Sequence, residues 1–455
     1  MADVRKSLER LAQEPVGPDY SQRVTFTYMI GVYLAVNAIS DLFLLVEGPD
    51  CSYMKTQYVQ GNHDWMSTLT SVSGFHRVAN TALHPSQMTG SREEGVQEVL
   101  LRIAQDDAVP AVALTSMPMA FITGADYERL TRVVHKATGK TAIHIPGKSL
   151  SGDWLDGYAE TLFALASQLD LSGGCRDDRK VAIVGYLFDR NEEDHAGNVR
   201  ELRRVFEALG LELVSVWLDG SRFGDLAKVR DAGTILSFPY ARKAAKKLAR
   251  RTGARLLEVD LPFGLEASER FVRGLGDAFG GEARADAFVD QELSRVIPKL
   301  EWVVPFLFQN RRVAFLGEPH VLPGLMDMVS MLGAELDYAV ITNQAHHVQG
   351  VALDASAVLV YPKMKEMMRF VTRRALDHEV HLLVTNNMGI MGAEGAILEF
   401  GFPSAFRHAL YDRPFLCFSG ALSFIDSMAN AMRMHEVELA RRTMVPGAGG
   451  GMVGH

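Results

Sequence analysis

Cysteine is scarce in this chain: three residues, at positions 51, 175 and 417, among 455. They form no CxxC pair and no disulfide-scaffold spacing, which excludes the stapled secreted domains. That usage is the one expected of a reducing, cytoplasmic compartment. Other signatures are missing as well. No GxGxxG follows the first strand of any unit and no GxxxxGK[ST] occurs, so neither familiar glycine loop is there to grip a dinucleotide or ATP. HExxH, HxxxH and GxSxG arrangements are absent, leaving a zinc-protease site or a serine nucleophile elbow without support. The stretch MADVRKSLERLAQEPVGPDY lacks the apolar core of a signal peptide, so no export is expected. Positive charge is not in excess either. The formal charge of −8 has the wrong sign for a general nucleic-acid binder.

Long apolar runs are equally few. Only VTFTYMIGVYLAVNAISDLFLLVEG, residues 24–48, approaches membrane-spanning length, and Asn37, Ser40 and Asp41 interrupt it. These residues read as a helix end before a strand, and no membrane span is expected. The basic residues Arg242, Lys243, Lys246, Lys247, Arg250 and Arg251 are spaced for the wet face of a helix.

What the chain does have is a repeating pattern: a short β-branched run, a turn, then an amphipathic stretch. KVAIVGYLF (180–188) is followed by GNVRELRRVFEALG (197–210), where Val199, Leu202, Val205, Phe206 and Leu209 share one helical face. Strands are expected at 211–218, 233–239 and 254–262, with a helix over 241–253. The rhythm restarts at RRVAFLGEP (311–319), with a helix over 321–333 and strands at 335–343, 357–362 and 380–387. Upstream, 42–46, 110–118 and 140–147 read as strands. The fold class is therefore α/β, with three Rossmann-like units of parallel sheet flanked by helices. The expected division is 1–176, 177–300 and 301–455, the last ending in a helix and a frayed glycine-rich tail at 446–455.

Such units place ligands beyond the carboxyl ends of their strands. Cys51 occupies such a position, just past Gly48 and Pro49. A thiolate there can bind iron or zinc or act as a nucleophile, whereas the plainer alternative is a small buried hydrophobe. Cys417, in RPFLCFSG, reads as core, and Cys175 as incidental to a polar linker. His63, His76 and His84 follow Cys51 in the sequence, and His346 and His347 come after another strand. Polar candidates for a cleft between units are Tyr186, Asp189, His195, His320 and Asn343, each with an alternative as a cap or turn residue. Tyr240 and Glu318 also fall just past strand ends.

Several stretches, in order, resemble the nitrogenase component 1 family, which includes the molybdenum–iron protein subunits, their cofactor-assembly scaffold homologues and the dark protochlorophyllide reductases. AISDLFLLVEGPDCSY is similar to the family's passage from helix to strand, where a Gly-Pro turn presents a cluster-binding cysteine. SQMTGSREEGVQEVLLRI (86–103), ALTSMPMAFITGADYERL (113–130) and IPGKSLSGDWLDGYAETLFAL (145–165) resemble the motifs that come next. DLPFGLEASERFVRGL (260–275), RRVAFLGEPHVLPGLMDMVSMLGAE (311–335) and GFPSAFRHALYDRPFLCFSGALSFIDSMANAM (401–432) extend the similarity over about residues 24 to 435.

The resemblance implies a component-1-like subunit of a two-component oxidoreductase. Such a subunit pairs with itself or a paralogous partner and binds no nucleotide. It takes electrons from a transient ATP-hydrolysing iron–sulfur reductase, through an iron–sulfur cluster at the subunit interface. The implied substrate is a tetrapyrrole double bond or another hard-to-reduce bond. Dinitrogen is not expected, because no cysteine follows a second-unit strand. The departures weigh on this. Cluster-holding members use about three cysteines per subunit, sometimes with an aspartate, whereas here Cys51 stands alone. The second position falls near Leu83 and His84, the third is Ser116 and Met117, and Asp50 replaces the usual glycine. One thiolate cannot hold a cluster that generally takes four ligands. A two-fold dimer could bring two copies of Cys51 together, with Asp50, His63 or His84 completing the set, or a paralogue could supply the rest. Alternatively the cluster is gone and the chain is a cofactor-assembly scaffold or a degenerate partner subunit. A bilobal small-molecule binder is a third reading.

Overall fold

The computed structural model describes residues 19–70, 76–84, 86, 92–122, 124–148, 151–348, 357–390 and 395–444. The glycine-rich tail at 446–455 lies outside them. Three parallel sheets are present. The first contains β1 (Leu42–Glu47), β2 (Val78–Asn80), β3 (Ala111–Ser116) and β4 (Thr141–His144), in the order β2-β1-β3-β4. The second contains β5 (Asp177–Val184), β6 (Glu212–Val216), β7 (Ala232–Ser237) and β8 (Arg255–Glu258), in the order β6-β5-β7-β8. The third contains β9 (Arg312–Gly317), β10 (Glu335–Ile341), β11 (Val358–Val360), β12 (Leu382–Thr385) and β13 (Ala396–Glu399), in the order β11-β10-β9-β12-β13. In each sheet the chain starts at an inner strand and reverses direction beside it, which opens a crevice at the carboxyl ends.

The central strands are apolar because both faces are covered: every residue of β1, β3 and β7 is buried. The run at 24–48 resolves into a fully buried ten-residue helix, Tyr28–Asn37, followed by β1. No helix among the described residues is long and apolar enough to cross a membrane. The basic stretch forms the helix Arg242–Thr252, which buries Ala244, Ala245, Leu248 and Ala249 and leaves its cations outward.

Two helices lock the first unit to its neighbours. Tyr28–Asn37 lies against Trp154–Gln168 so closely that a Cβ on Gly31 would stand 1.7 Å from the Trp154 carbonyl oxygen, and one on Gly157 would stand 1.9 Å from that of Tyr28. Tyr158 reaches from the second of these helices into the second unit. Its hydroxyl donates to the Tyr186 carbonyl (2.9 Å) and accepts from the Phe188 amide (3.0 Å). The closing helix Cys417–Met444 packs on β13 and on the second unit's helix Glu193–Ala208.

Candidate functional site

The strand ends of the first unit converge on one edge. The Leu83 amide donates to the Gly48 carbonyl (2.9 Å), and the Met117 amide donates to that of Glu47 (2.9 Å). The three positions singled out in sequence, at Cys51, at Leu83 and His84, and at Ser116 and Met117, therefore lie side by side. Cys51 opens the helix Cys51–Asn62 and is exposed, so the reading of it as a buried hydrophobe fails. Asp50 and His84 are exposed on the same edge, and His84 Nδ1 stands 2.7 Å from the Ser86 hydroxyl. Met54, in the first turn of that helix, and Ile122, just past β3, are 70% and 78% exposed. Beneath the edge, Tyr33 Oη and Ser116 Oγ are buried without a hydrogen-bond partner among the described residues.

His63 is not on this edge. It closes the same helix from its far end and is fully buried. Its Nδ1 accepts from the Ser404 amide (2.9 Å), which leaves Nε2–H to donate to the Asp189 carbonyl (2.8 Å). Both nitrogens are committed, so its expected place beside Cys51 is corrected: His63 ties the first unit to the second and third.

A second locus lies where strand ends of the second and third units meet. Tyr186, Asp189 and His195 line a small cavity of about 50 Å³, partly open to solvent, together with Tyr240, Glu318 and several phenylalanines. His195 projects from the first turn of the helix Glu193–Ala208, with Nε2 2.6 Å from Asp189 Oδ1 and Nδ1 2.8 Å from the Tyr186 hydroxyl. Asn198 Nδ2 donates to that hydroxyl (3.0 Å). Burial alone would lower the His195 pKa, but the charges of Asp194 and Asp189 and the hydrogen bond to Asp189 outweigh it and raise it. Burial would raise that of Asp189, yet the His195 bond and charge hold the carboxyl well below the usual range. Tyr186, sealed among them, is pushed far above the ordinary phenol value by burial.

On the opposite wall Glu318, just past β9, is buried. It accepts from the Tyr240 hydroxyl (2.7 Å) and from the His320 and Val321 amides (2.7 and 3.1 Å). Burial nevertheless pushes its carboxyl up to about 7. This acid was visible in sequence only as a residue past a strand, because its shift comes from the wall that closes over it. His320 stands edge-on to the Tyr240 ring (4.9 Å), and burial, with the charges of His347 and Arg242, takes it down to about 3. Asn343 is elsewhere: its Nδ2 donates to Asp153 Oδ2 (3.2 Å), away from the cavity.

The model of the nitrogenase component 1 type oxidoreductase family matches residues 27–433. The chain belongs to that family. Among curated relatives, it is 23% identical over 325 residues to the nitrogenase molybdenum-iron protein beta chain of Clostridium pasteurianum, covering 65% of this chain and 68% of that one. It is also 23% identical to the light-independent protochlorophyllide reductase subunit N of Roseiflexus castenholzii, over 72% of this chain and 78% of the relative. The cofactor biosynthesis protein NifN of Bradyrhizobium diazoefficiens is 21% identical, over 77% and 78%. Among solved structures, nitrogenase Cp1 at pH 6.5 superposes with a TM-score of 0.78 at 18% identity, covering 98% of this chain and all of that one. The component 1 fold is thus established, and the family spans both reductase subunits and a cofactor-biosynthesis protein.

The family's iron–sulfur cluster can be tested against the donors on the edge. One exposed thiol, the adjacent carboxyl group of Asp50 and the imidazole of His84 are present, while Ser116 is buried. A set with one sulfur does not complete a site that generally takes four ligands. Within a single chain the residues do not fit the cluster.

Proposed function

We propose that this chain is a subunit of a nitrogenase-like two-component oxidoreductase, whose substrate occupies the cavity between the second and third units. A separate ATP-hydrolysing iron–sulfur reductase supplies electrons to the assembly, and the Cys51 edge meets a second component 1 chain, a paralogue or another copy. Any cluster there draws ligands from both chains, and no chemical step is assigned to it. The observation that carries the reading is the apolar cavity flanked by two buried acid–base groups. Reducing a double bond by two electrons takes up two protons, and two buried acid–base groups stand on the walls. Glu318 has its pKa raised to about 7, in the range suited to general acid work. On the facing wall His195, with its pKa raised, is held in orientation by Asp189 and Tyr186. The phenylalanines around them favour an apolar substrate, and one as large as a tetrapyrrole requires these walls to part.

The lone cysteine on the edge supports a second reading, in which the chain is a cofactor-assembly scaffold or a degenerate partner without a cluster of its own. Oxygen-free purification, alone and with a candidate sibling subunit, separates the two. The reductase reading expects iron and sulfide in stoichiometric amount with a visible spectrum, lost in Cys51→Ala, and turnover lost in His195→Gln. A colourless assembly that binds an organic ligand without reducing it overturns that reading in favour of the scaffold.

A further inference from the structure

Outside the cavity and the Cys51 edge, one cluster among the described residues has the composition of a metal centre. The 3-10 turn Ala345–Val348, just past β10, carries His346 and His347, and the helix Trp154–Gln168 carries Asp156 in its first turn. A ring nitrogen of His346, one of His347 and an Asp156 carboxylate oxygen all lie within 4.8 Å of one another. His346 Nε2 is 2.8 Å from Asp156 Oδ1, and His347 Nε2 is 3.6 Å from it. Metal–ligand bonds of about 2.0–2.2 Å separate neighbouring ligand atoms by about 3 to 3.4 Å, so both histidine–Asp156 separations lie within a few tenths of an ångström of what one ion requires.

The surroundings are built rather than incidental. Asp153, the N-cap of the helix, is fully buried, and its Oδ1 stands 3.1 Å from His347 Nε2. Its Oδ1 also accepts from the Leu155 amide and its Oδ2 from the Gln344 amide, so the carboxylate is pinned from both sides of the cluster. Asn343, also fully buried, donates its amide to Asp153, while its Oδ1 has no partner among the described residues. An unpartnered carbonyl oxygen in such a place costs free energy unless something supplies a positive contact.

We propose that Asp156, His346 and His347, with Asp153 beside them, bind a divalent first-row transition ion of the zinc class. Two imidazoles and carboxylates, without a thiolate, suit Zn²⁺, Co²⁺ or Ni²⁺ better than the all-oxygen preference of Ca²⁺ or Mg²⁺. Its ligands come from positions about 190 residues apart in sequence. The ion therefore staples the first unit to the third and fixes one wall of the crevice between them. This site stands independently of the reductase reading.

Co²⁺ is the probe, added to the untagged full-length chain freed of metal. The expected result is one ion per chain, with visible d–d bands and no thiolate-to-cobalt charge-transfer band, and displacement by Zn²⁺. His346→Ala, at a half-exposed side chain, and Asp156→Asn should each weaken binding at least about tenfold, with unchanged far-UV circular dichroism. Absence of stoichiometric binding, a charge-transfer band pointing to Cys51, or wild-type affinity in both variants overturns the site.

Discussion

A buried carboxyl on the wall of an apolar cavity, its pKa raised on folding, makes stability depend on pH in a direction opposite to most acids. Glu318 has an ordinary value of 4.5 and is pushed up to about 7 in the folded chain. Between those values the native state holds a proton that the unfolded chain has released, so stability falls as pH climbs through this window and levels off above it. The span corresponds to about 3 kcal/mol. Urea midpoints measured from pH 5 to 8 should therefore decline in the wild type, and Glu318→Gln should flatten that decline. His63 gives the contrasting case. Removing a ring whose nitrogens both serve buried backbone groups should cost about 2–4 kcal/mol, and His63→Ala should leave metal content unchanged. A loss of iron in that variant, with stability intact, would restore it to the Cys51 edge. Sequence alone listed His63 beside Cys51 because only 12 positions separate them. A helix 12 residues long carries its ends about 18 Å apart, and that length decides the matter.

At the level of elements, the contact between Tyr28–Asn37 and Trp154–Gln168 rests on glycine. Helix propensity by itself favours alanine over glycine by about 1 kcal/mol. A methyl on Gly157 would sit 1.9 Å from the Tyr28 carbonyl oxygen, and backbone cannot swing aside as a side chain can. Gly157→Ala is accordingly expected to destabilise by about 3 kcal/mol, read as a lower thermal midpoint; an unchanged or higher midpoint would show that the helices can part. The strands that carry this architecture were legible because β-branched runs buried on both faces leave an unmistakable apolar stretch, as at β5 and β9. The short strands β2 and β13 were not, since three or four residues of edge strand carry little pattern. The convergence of Asp153 with His346 and His347 was hidden for a different reason. Each pair sits past its own strand, but only packing of one unit on another tells which strand ends face each other.

Across the whole molecule, buried polar contacts rather than linkers join the units. His63 bonds to residues of two other units, and Asp64 accepts from the Asn191 backbone and side chain (3.1 and 2.6 Å). Asn198 Oδ1 accepts from the Phe415 and Leu416 amides (2.8 and 3.0 Å), fastening the segment that leads into the closing helix. Units tied in this way should not melt one by one. Near-UV and far-UV circular dichroism should fall at a single denaturant midpoint, and separated midpoints would mean that the units are independent. The parallel-sheet plan, the family motifs and a cleft past the strand ends were readable across this scale, while which side chains share its walls was so only in part, because those walls come from strands and loops far apart in the chain.

The three thiols differ in reach: Cys51 and Cys175 are exposed, and Cys417 is sealed in the core. Brief alkylation of the isolated chain should therefore label two sulfurs and spare the third. Because bare Met54 stands in the first turn of the helix that Cys51 opens, a second polypeptide seated there would shield that sulfur while Cys175, just before β5, stays open to the reagent. Peptide mapping of the label then turns a single side chain into a gauge of assembly, readable in crude mixtures and without knowing the substrate.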